Sequence, residues 1–378
     1  MNDITIDKTG WKKYRFDEMV QNISERVEPS QTNLDVYVGL EHIDPDSLHI
    51  KRHGHPSDVE GTKLRFYKGD IIFGRRRAYQ RKTALATTDG ICSAHAMVLR
   101  AKEDVIDPLF LPFLFHSKSF IDMAITISVG GLSPTINWKD IAKQEFLLPP
   151  KPEQKRIAAL LWSADEIIEK EKMELEKLRL HTSALSTSLF HTKNKTTRKL
   201  IDIANITMGQ SPIGSSYNEQ QQGMPFLQGN SEFTDLYPHS NKYTTKPTKI
   251  AQAGDILMSV RAPVGAINIA DKQYCIGRGL CALSAKDGDN DYLKFLLQSL
   301  LPAFERISTG STFKSINSDD MKKIDVPNEK KNISLLLKNE EMISIIEKQI
   351  YHSQQLKQKL INKVFEVCGK EKMLERYI

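Results

Sequence analysis

The sequence predicts an α+β chain: two tandem α+β domains separated by two long antiparallel helices, which form an intramolecular coiled coil in a pseudo-twofold duplication. Three features predict it. Segments recur about 180 residues apart, short apolar runs sit between Gly, Pro and Asp, and long stretches carry heptad spacing. The expected boundaries are residues 1–150 for the first domain, 151–192 for the central helix, 193–327 for the second domain and 328–378 for the C-terminal helix.

The repeat is ordered. Gly69-Asp70-Ile71-Ile72 returns as Gly254-Asp255-Ile256-Leu257, an offset of 185 residues, and Phe110 to Ser117 returns as Tyr292 to Ser299, an offset of 182. Gly130, Ile136-Asn137 and Asp140 return as Gly310, Ile316-Asn317 and Asp320 at 180, and Glu153 to Ile157 as Glu329 to Ile333 at 176. Chance would scatter these offsets. A steady decline is what two homologous copies give when the second has lost a few residues at several points. A unit this long is a domain duplication, because solenoid repeats run to roughly 20–50 residues.

Each copy opens with short elements. Strands are expected at 35–38, 69–73 and 96–99 in the first domain and at 255–260 and 265–270 in the second, with short helices around 108–123 and 291–307. The tails differ. After Leu148-Pro149-Pro150-Lys151-Pro152, prolines confine the helix to a start in its first turn, and Glu153 to Phe190 holds neither Gly nor Pro. Leu161, Ala164, Ile168, Leu175, Leu178, Leu185 and Leu189 trace a heptad stripe, with Glu171 and Thr182 as its polar members. Roughly 38 residues at about 1.5 Å each make a helix of about 57 Å. The second tail, opening after Pro327-Asn328, carries Ile343, Ile346, Ile350, Leu356, Leu360 and Val364, with an interruption near Ser353. A stripe this long must be buried on something, and the equal partner is the other copy. Antiparallel pairing follows from the whole domain that the chain crosses between them.

Composition narrows the function. The chain has 378 residues, a formal net charge of +6 and 40% hydrophobic residues, enough for two cores and unlike a disordered or polyelectrolyte chain. Cys92, Cys275, Cys281 and Cys368 form no CxxC pair, which fits a reducing compartment. No apolar run suggests a signal peptide or a membrane span, so the expectation is a cytoplasmic protein with no membrane partner. Neither GxxxxGK[ST] nor GxGxxG occurs, since Gly277-Arg278-Gly279 lacks the third glycine, and HExxH is also absent. His49, His53 and His55 flank Gly54 and Pro56 and read as solvated loop histidines, not a metal site. Glu153-Gln154-Lys155 resembles the end of a nuclease motif downstream of Asp140, but a carboxylate on a first helical turn serves the helix dipole. Neither Asn-Pro-Pro-Tyr nor Asp-Pro-Pro-Tyr is present. The expectation is no catalytic residue, no metal and no cofactor on this chain.

Charge points to a partner instead. Between Lys51 and Lys82 stand ten basic residues against Asp58, Glu60 and Asp70, a local +7 that exceeds the net charge of the chain. Lysine and arginine gain affinity for phosphates by counterion release, and arginine forks read guanine edges. Arg75, Arg76, Arg77, Tyr79, Gln80, Arg81 and Lys82 follow a strand and are the leading candidates for contact with double-stranded DNA. The matching second-copy segment, Ser259 to Gly265, has Arg261 alone, so two readers would read different sequences. Further candidates are Ser93 and His95, matched by Arg278, together with Gln210, Ser211, Tyr217, Thr312 and Lys314.

Two divergent domains, two helical tails with related openings and no catalytic set resemble the specificity subunit of type I restriction-modification enzymes. The most specific residues are Leu148 to Ile157, similar to the family's proline, Glu-Gln and Ile signature, with Gly69 to Arg77 and Asp89 to Ser93 resembling its target-recognition domains. Lys330 replaces the Gln in the second tail. The resemblance implies a non-catalytic subunit that binds a bipartite DNA site, one half per target-recognition domain. It implies two methyltransferase (modification) subunits docked on the helices, carrying S-adenosylmethionine, and ATP-using restriction subunits that supply translocase and nuclease activity. Glu153, Gln154, Arg156, Glu329 and Lys330 are the expected partner contacts. Alternatives are the specificity subunit of a related bifunctional restriction system, and a coiled-coil scaffold for protein partners.

Overall fold

The computed structural model describes residues 6–191, 196–234, 237–307 and 315–366. Two compact units emerge, Met1–Lys172 with Lys348–Ile378, and Met173–Glu347. Each unit holds one α+β head and part of both long helices.

The first head is built on two four-stranded sheets. One orders Val20–Ile23, Ala96–Ala101, Ile71–Gly74 and Thr83–Leu85, antiparallel throughout, with Ile72 opposite Val98. The other orders Arg26–Val27, Lys63–Phe66, Gly90–Cys92 and Tyr37–Val38, and its last pair is parallel. Helices Leu111–Phe115 and Lys118–Thr126 cover the first sheet with Phe113, Phe115 and Phe120, all fully buried. Ser117 starts the second of these as an N-cap, its hydroxyl accepting from the Phe120 amide.

The second head repeats the first sheet strand for strand, in the order Ala204–Met208, Leu280–Ala285, Ile256–Ser259 and Ile267–Ile269. Its other sheet has diverged to five strands, keeping one parallel pair, Met224–Leu227 with Tyr274–Ile276. Helices Asn290–Ser299 and Leu301–Ile307 take the covering role. The expected α+β duplication is therefore present, with the conserved sheet as scaffold and the second sheet as the variable part.

The central helix runs Lys151–Phe190 and the C-terminal helix Ser334–Phe365. They pair antiparallel within each unit. In the first, Asp165 meets Lys357 and Glu171 accepts from Gln349 at 2.6 Å; in the second, Arg179 meets Glu347 and Thr182 accepts from Asn339 at 3.1 Å. The polar heptad members Glu171 and Thr182 are thus buried and cross-bonded. Ala158 and Leu161 of the central helix join the first head's core with Ile361, Val364 and Phe365. Phe190 joins the second head's core with Ile333 and Leu336.

Four expectations need correction. The C-terminal helix opens at Ser334, not at residue 329, because Lys330 is held by Asp287 and Asp289 and the Asn332 side chain accepts from the Ser334 amide. It is unbroken at Ser353. Leu356 faces out at 60% exposure, and Lys357 takes the inward position toward Asp165. On the central helix Asp165, not Ala164, lies in the buried stripe. Among the described residues no helix is long and apolar enough to cross a membrane.

Candidate nucleic-acid interface

The strand Ile71–Gly74 is buried along its length and delivers the chain to a loop at the edge of the first head. Arg77 and Arg81 both adopt left-handed backbone, φ 57° and 54°, flanking a 3-10 turn over Ala78–Gln80. Arginine gains nothing intrinsic from that conformation, so the surroundings impose it. Ala78 is the buried anchor of the turn, while Tyr79 beside it stands half exposed.

A second segment, residues 129–135, fixes this loop from the side. The Arg77 amide donates to the Pro134 carbonyl at 2.7 Å and the Ile136 amide to the Arg75 carbonyl at 3.0 Å. Arg76 donates through Nε to the Ser133 hydroxyl at 2.6 Å, and its guanidinium lies 3.5 Å from His95 Nε2. Ser93 in turn accepts from the His95 amide at 3.2 Å. Arg76, Ser93 and His95, three separate candidates in the sequence, are therefore brought together.

The ten basic residues divide by what they already touch. Lys51 pairs with Glu169, Arg52 with Asp44, Arg65 with Glu25 and Arg81 with Asp46. Lys63 donates to the Glu60 and Gly61 carbonyls, and Lys82 to the Leu40 carbonyl. The side chains of Lys68 and the three consecutive arginines are left without an anionic partner among the described residues, the Lys68 amide alone donating to Asp89. A fixed row of unneutralised guanidiniums suits phosphate and guanine. Arg81 and Lys82 are committed to holding the loop, and Gln80 is half-buried.

The second head repeats the support but changes the chemistry. Its Ile316 amide donates to the Val260 carbonyl at 2.9 Å, and Arg261 bridges to Ser315 as Arg76 does to Thr135. Arg261 is exposed. Arg278 donates through its amide to the Ser211 hydroxyl at 3.4 Å, and Gln210 lies beside it, its amide donating to the Ile276 carbonyl. The backbones pass close here: a Cβ on Gly209 would sit 2.1 Å from the Gly277 carbonyl, which is why glycine stands at 209. Tyr217 is half-buried, stacked on Phe226 at 5.0 Å with its hydroxyl donating to the Pro212 carbonyl, and serves the fold. Thr312 and Lys314 lie outside the described residues.

The expected partner contacts separate in the same way. Gln154 is a correction: it is buried, its Oε1 accepts from the Asp107 amide at 2.7 Å, and its Nε2 donates to the Val105 and Pro149 carbonyls. Every hydrogen bond its amide can offer these groups is spent inside the first unit. Lys330, at the matching place in the second unit, bonds Asp289 at 2.7 Å and Asp287 at 3.0 Å. Asp107 and Asp289 are themselves equivalent, so Gln and Lys fasten the same loop by different chemistry. Glu153 and Arg156 remain accessible on the first turns of the central helix, and Glu329 is exposed beside Lys331.

His49 is not a solvated loop residue. Its Nε2 bonds Asp165 on the central helix, and its ring meets Trp162 edge-on. Burial pushes the Asp165 carboxyl up, but hydrogen bonds from His49 and Lys357 more than offset this and hold it at about 2. His116, which sequence reading passed over, is fully buried, and burial holds its imidazole down at about 4. Among the described residues no group of three or more His, Cys, Asp or Glu is placed to hold a metal ion.

Comparison with known proteins gives one answer. The family model described as the type I restriction modification DNA specificity domain matches twice, over residues 10–179 and 192–365. The chain is 30% identical over 360 residues to a putative type I restriction enzyme MjaX specificity subunit of Methanocaldococcus jannaschii, covering 85% of this chain and 84% of that one. It is 29% identical over 188 residues to the EcoDI specificity subunit of Escherichia coli, covering 48% and 41%. A solved chain described under the structural basis of complex assembly and conformational transition of the type I R-M system is similar with TM-score 0.63 and 26% identity, covering 94% of this chain and 98% of that one. The type I restriction-modification S subunit from M. genitalium shares the fold at TM-score 0.57 and 16% identity, covering 97% and 99%.

Proposed function

Because the chain belongs to the family of type I restriction modification DNA specificity subunits, we propose that it reads a bipartite duplex site, one half-site per head. It is a specificity subunit and not an enzyme. The observation that carries the reading is the arginine triplet: in a segment where Lys51, Arg52, Arg65 and Arg81 are taken up in ion pairs, Arg75, Arg76 and Arg77 have no ion-pair partner among the described residues. Bidentate contact from one such arginine to guanine is worth about 1–3 kcal/mol of discrimination. The second head offers Arg261 and Arg278 on the same scaffold, so its half-site differs.

Modification subunits carrying S-adenosylmethionine dock on the helices in this reading, and ATP-using restriction subunits complete the enzyme. Leu160 and Ile167, one heptad apart on the central helix, are both more than half exposed, which supports a partner-covered face. Polar cross-helix pairs such as Thr182–Asn339 favour one register over its alternatives. The two helices then fix the unread gap between half-sites.

The test is titration of the purified full chain into random duplex at about 50 and 200 mM salt, where a linear fall of log K with log salt is expected. Salt-independent binding, or none, refutes the reading. Methylation by the purified chain given only S-adenosylmethionine would refute the non-catalytic assignment.

A further inference from the structure

The first head has a cleft of about 370 Å³ where its two sheets meet, and none of the residues lining it is acidic. Arg26 reaches it from the second sheet and Arg75 from the start of the arginine loop. The Arg26 side chain has no hydrogen bond or ion pair among the described residues, its backbone being paired with Leu64 in the sheet. The Nε of Arg75 is sequestered from solvent and has no partner. Lys63 also lines the cleft, but its ammonium is spent on the Glu60 and Gly61 carbonyls. With no carboxylate in the cleft, the positive charge of Arg26 and Arg75 is left for an anion from outside the chain. The cleft around Lys330 in the second head differs, because Asp287 lines it and already neutralises that cation.

The walls define what the acceptor is attached to. Asn22, Ser24 and Thr62 add polar groups near the two arginines, while Met97 and Trp138 give an apolar side. A phosphate alone would leave that side empty; a phosphodiester with its deoxyribose uses both. We infer that this cleft holds one sugar-phosphate of a DNA strand that runs past the arginine loop, with Arg26 and Arg75 on the phosphate and Met97 and Trp138 against the sugar. The inference rests on the DNA-reading function above and adds a backbone contact that carries no base information.

Arg26 is exposed and its loss should leave the fold intact, so R26A on the full chain is the test, with R26E as a second variant. R26A should reduce the slope of log K against log salt by about 0.9 and weaken binding about eightfold near 0.1 M salt, equally for target and random duplex. R26E should weaken it further, and discrimination between target and random duplex should hold. An unchanged slope in R26A with a normal wild-type slope overturns the inference and leaves the DNA reading standing. A wild-type chain with no salt-dependent binding sinks the DNA reading itself. A parallel titration with inorganic phosphate separates the sources: phosphate binding that R26A abolishes, with the DNA slope unaltered, would identify a free-anion site and overturn the assignment to DNA.

Discussion

Replacing Lys357 with Met removes one of two partners from a carboxylate that has almost no access to water. The Asp165 side chain is 5% exposed and that of Lys357 is 12% exposed. Breaking a buried pair on one side costs about 3–5 kcal/mol, because the remaining charge stays desolvated. His49 still donates to Asp165 in K357M, so the expected loss is about 2–3 kcal/mol. The carboxyl should rise from about 2 toward its ordinary value, since hydrogen bonding from Lys357 helps hold it down. D165N with K357M removes the stranded charge as well, and the double variant should recover at least about 1 kcal/mol relative to the sum of the singles. Urea unfolding followed by tryptophan fluorescence isolates the effect, because Trp11, Trp138 and Trp162 all belong to the first unit. A K357M chain within about 0.5 kcal/mol of the parent, or strictly additive singles, would refute the view that this ion pair governs helix pairing in the first unit.

The two fasteners at the helix openings should differ in strength. Q154A leaves a buried amide and two carbonyls without partners and should cost about 2–3 kcal/mol, whereas K330A breaks a half-exposed ion pair worth about 1 kcal/mol or less; urea midpoints for each variant check the order. His116 should make the first unit acid-sensitive. Its folded value of about 4 lies below the ordinary 6.5, so the unfolded chain takes up the proton first as pH falls, and stability declines between those values by up to about 3 kcal/mol. H116N should flatten that decline in pH-dependent unfolding, and an unaltered profile would contradict the assignment. Asp165 acts in the lower window, its contribution being lost only as pH falls from 3.8 to about 2. Equal insertions of whole heptads in both helices should widen the unread gap in a methylation map, and a constant gap would remove the spacing role.

The duplication and both helices were legible because apolar periodicity survives divergence. Leu161, Ile168 and Leu175 are buried where their spacing places them. The errors came from preferring apolarity to phase. Ile343, Ile350 and Val364 set a seven-residue repeat that lands on residue 357, but Lys357 reads as solvent-facing and Leu356 as core. Only the partner Asp165 reverses that, and it lies 192 residues away. The same limit applied to the basic segment. Charge density singled out the stretch, yet which cations are consumed depends on Glu169, Asp44 and Asp46, and no local pattern reveals those pairings. Gln154 stands in the most recognisable motif of the chain, and its position said nothing of an amide already spent on Val105, Asp107 and Pro149. The supporting segment at 129–135 carried one available signal, the Gly130 recurrence, without showing that it braces the arginine loop.

In the proposed function, the arginine loop of the first head reads one half-site while the second head reads the other independently. Long-read mapping of methylated sites in a host expressing R76A with its cognate modification subunit tests it most directly. R76A should alter or relax the sequence in one half of the site and leave the other half and the gap unchanged. Changes in both halves, or in neither, would contradict it.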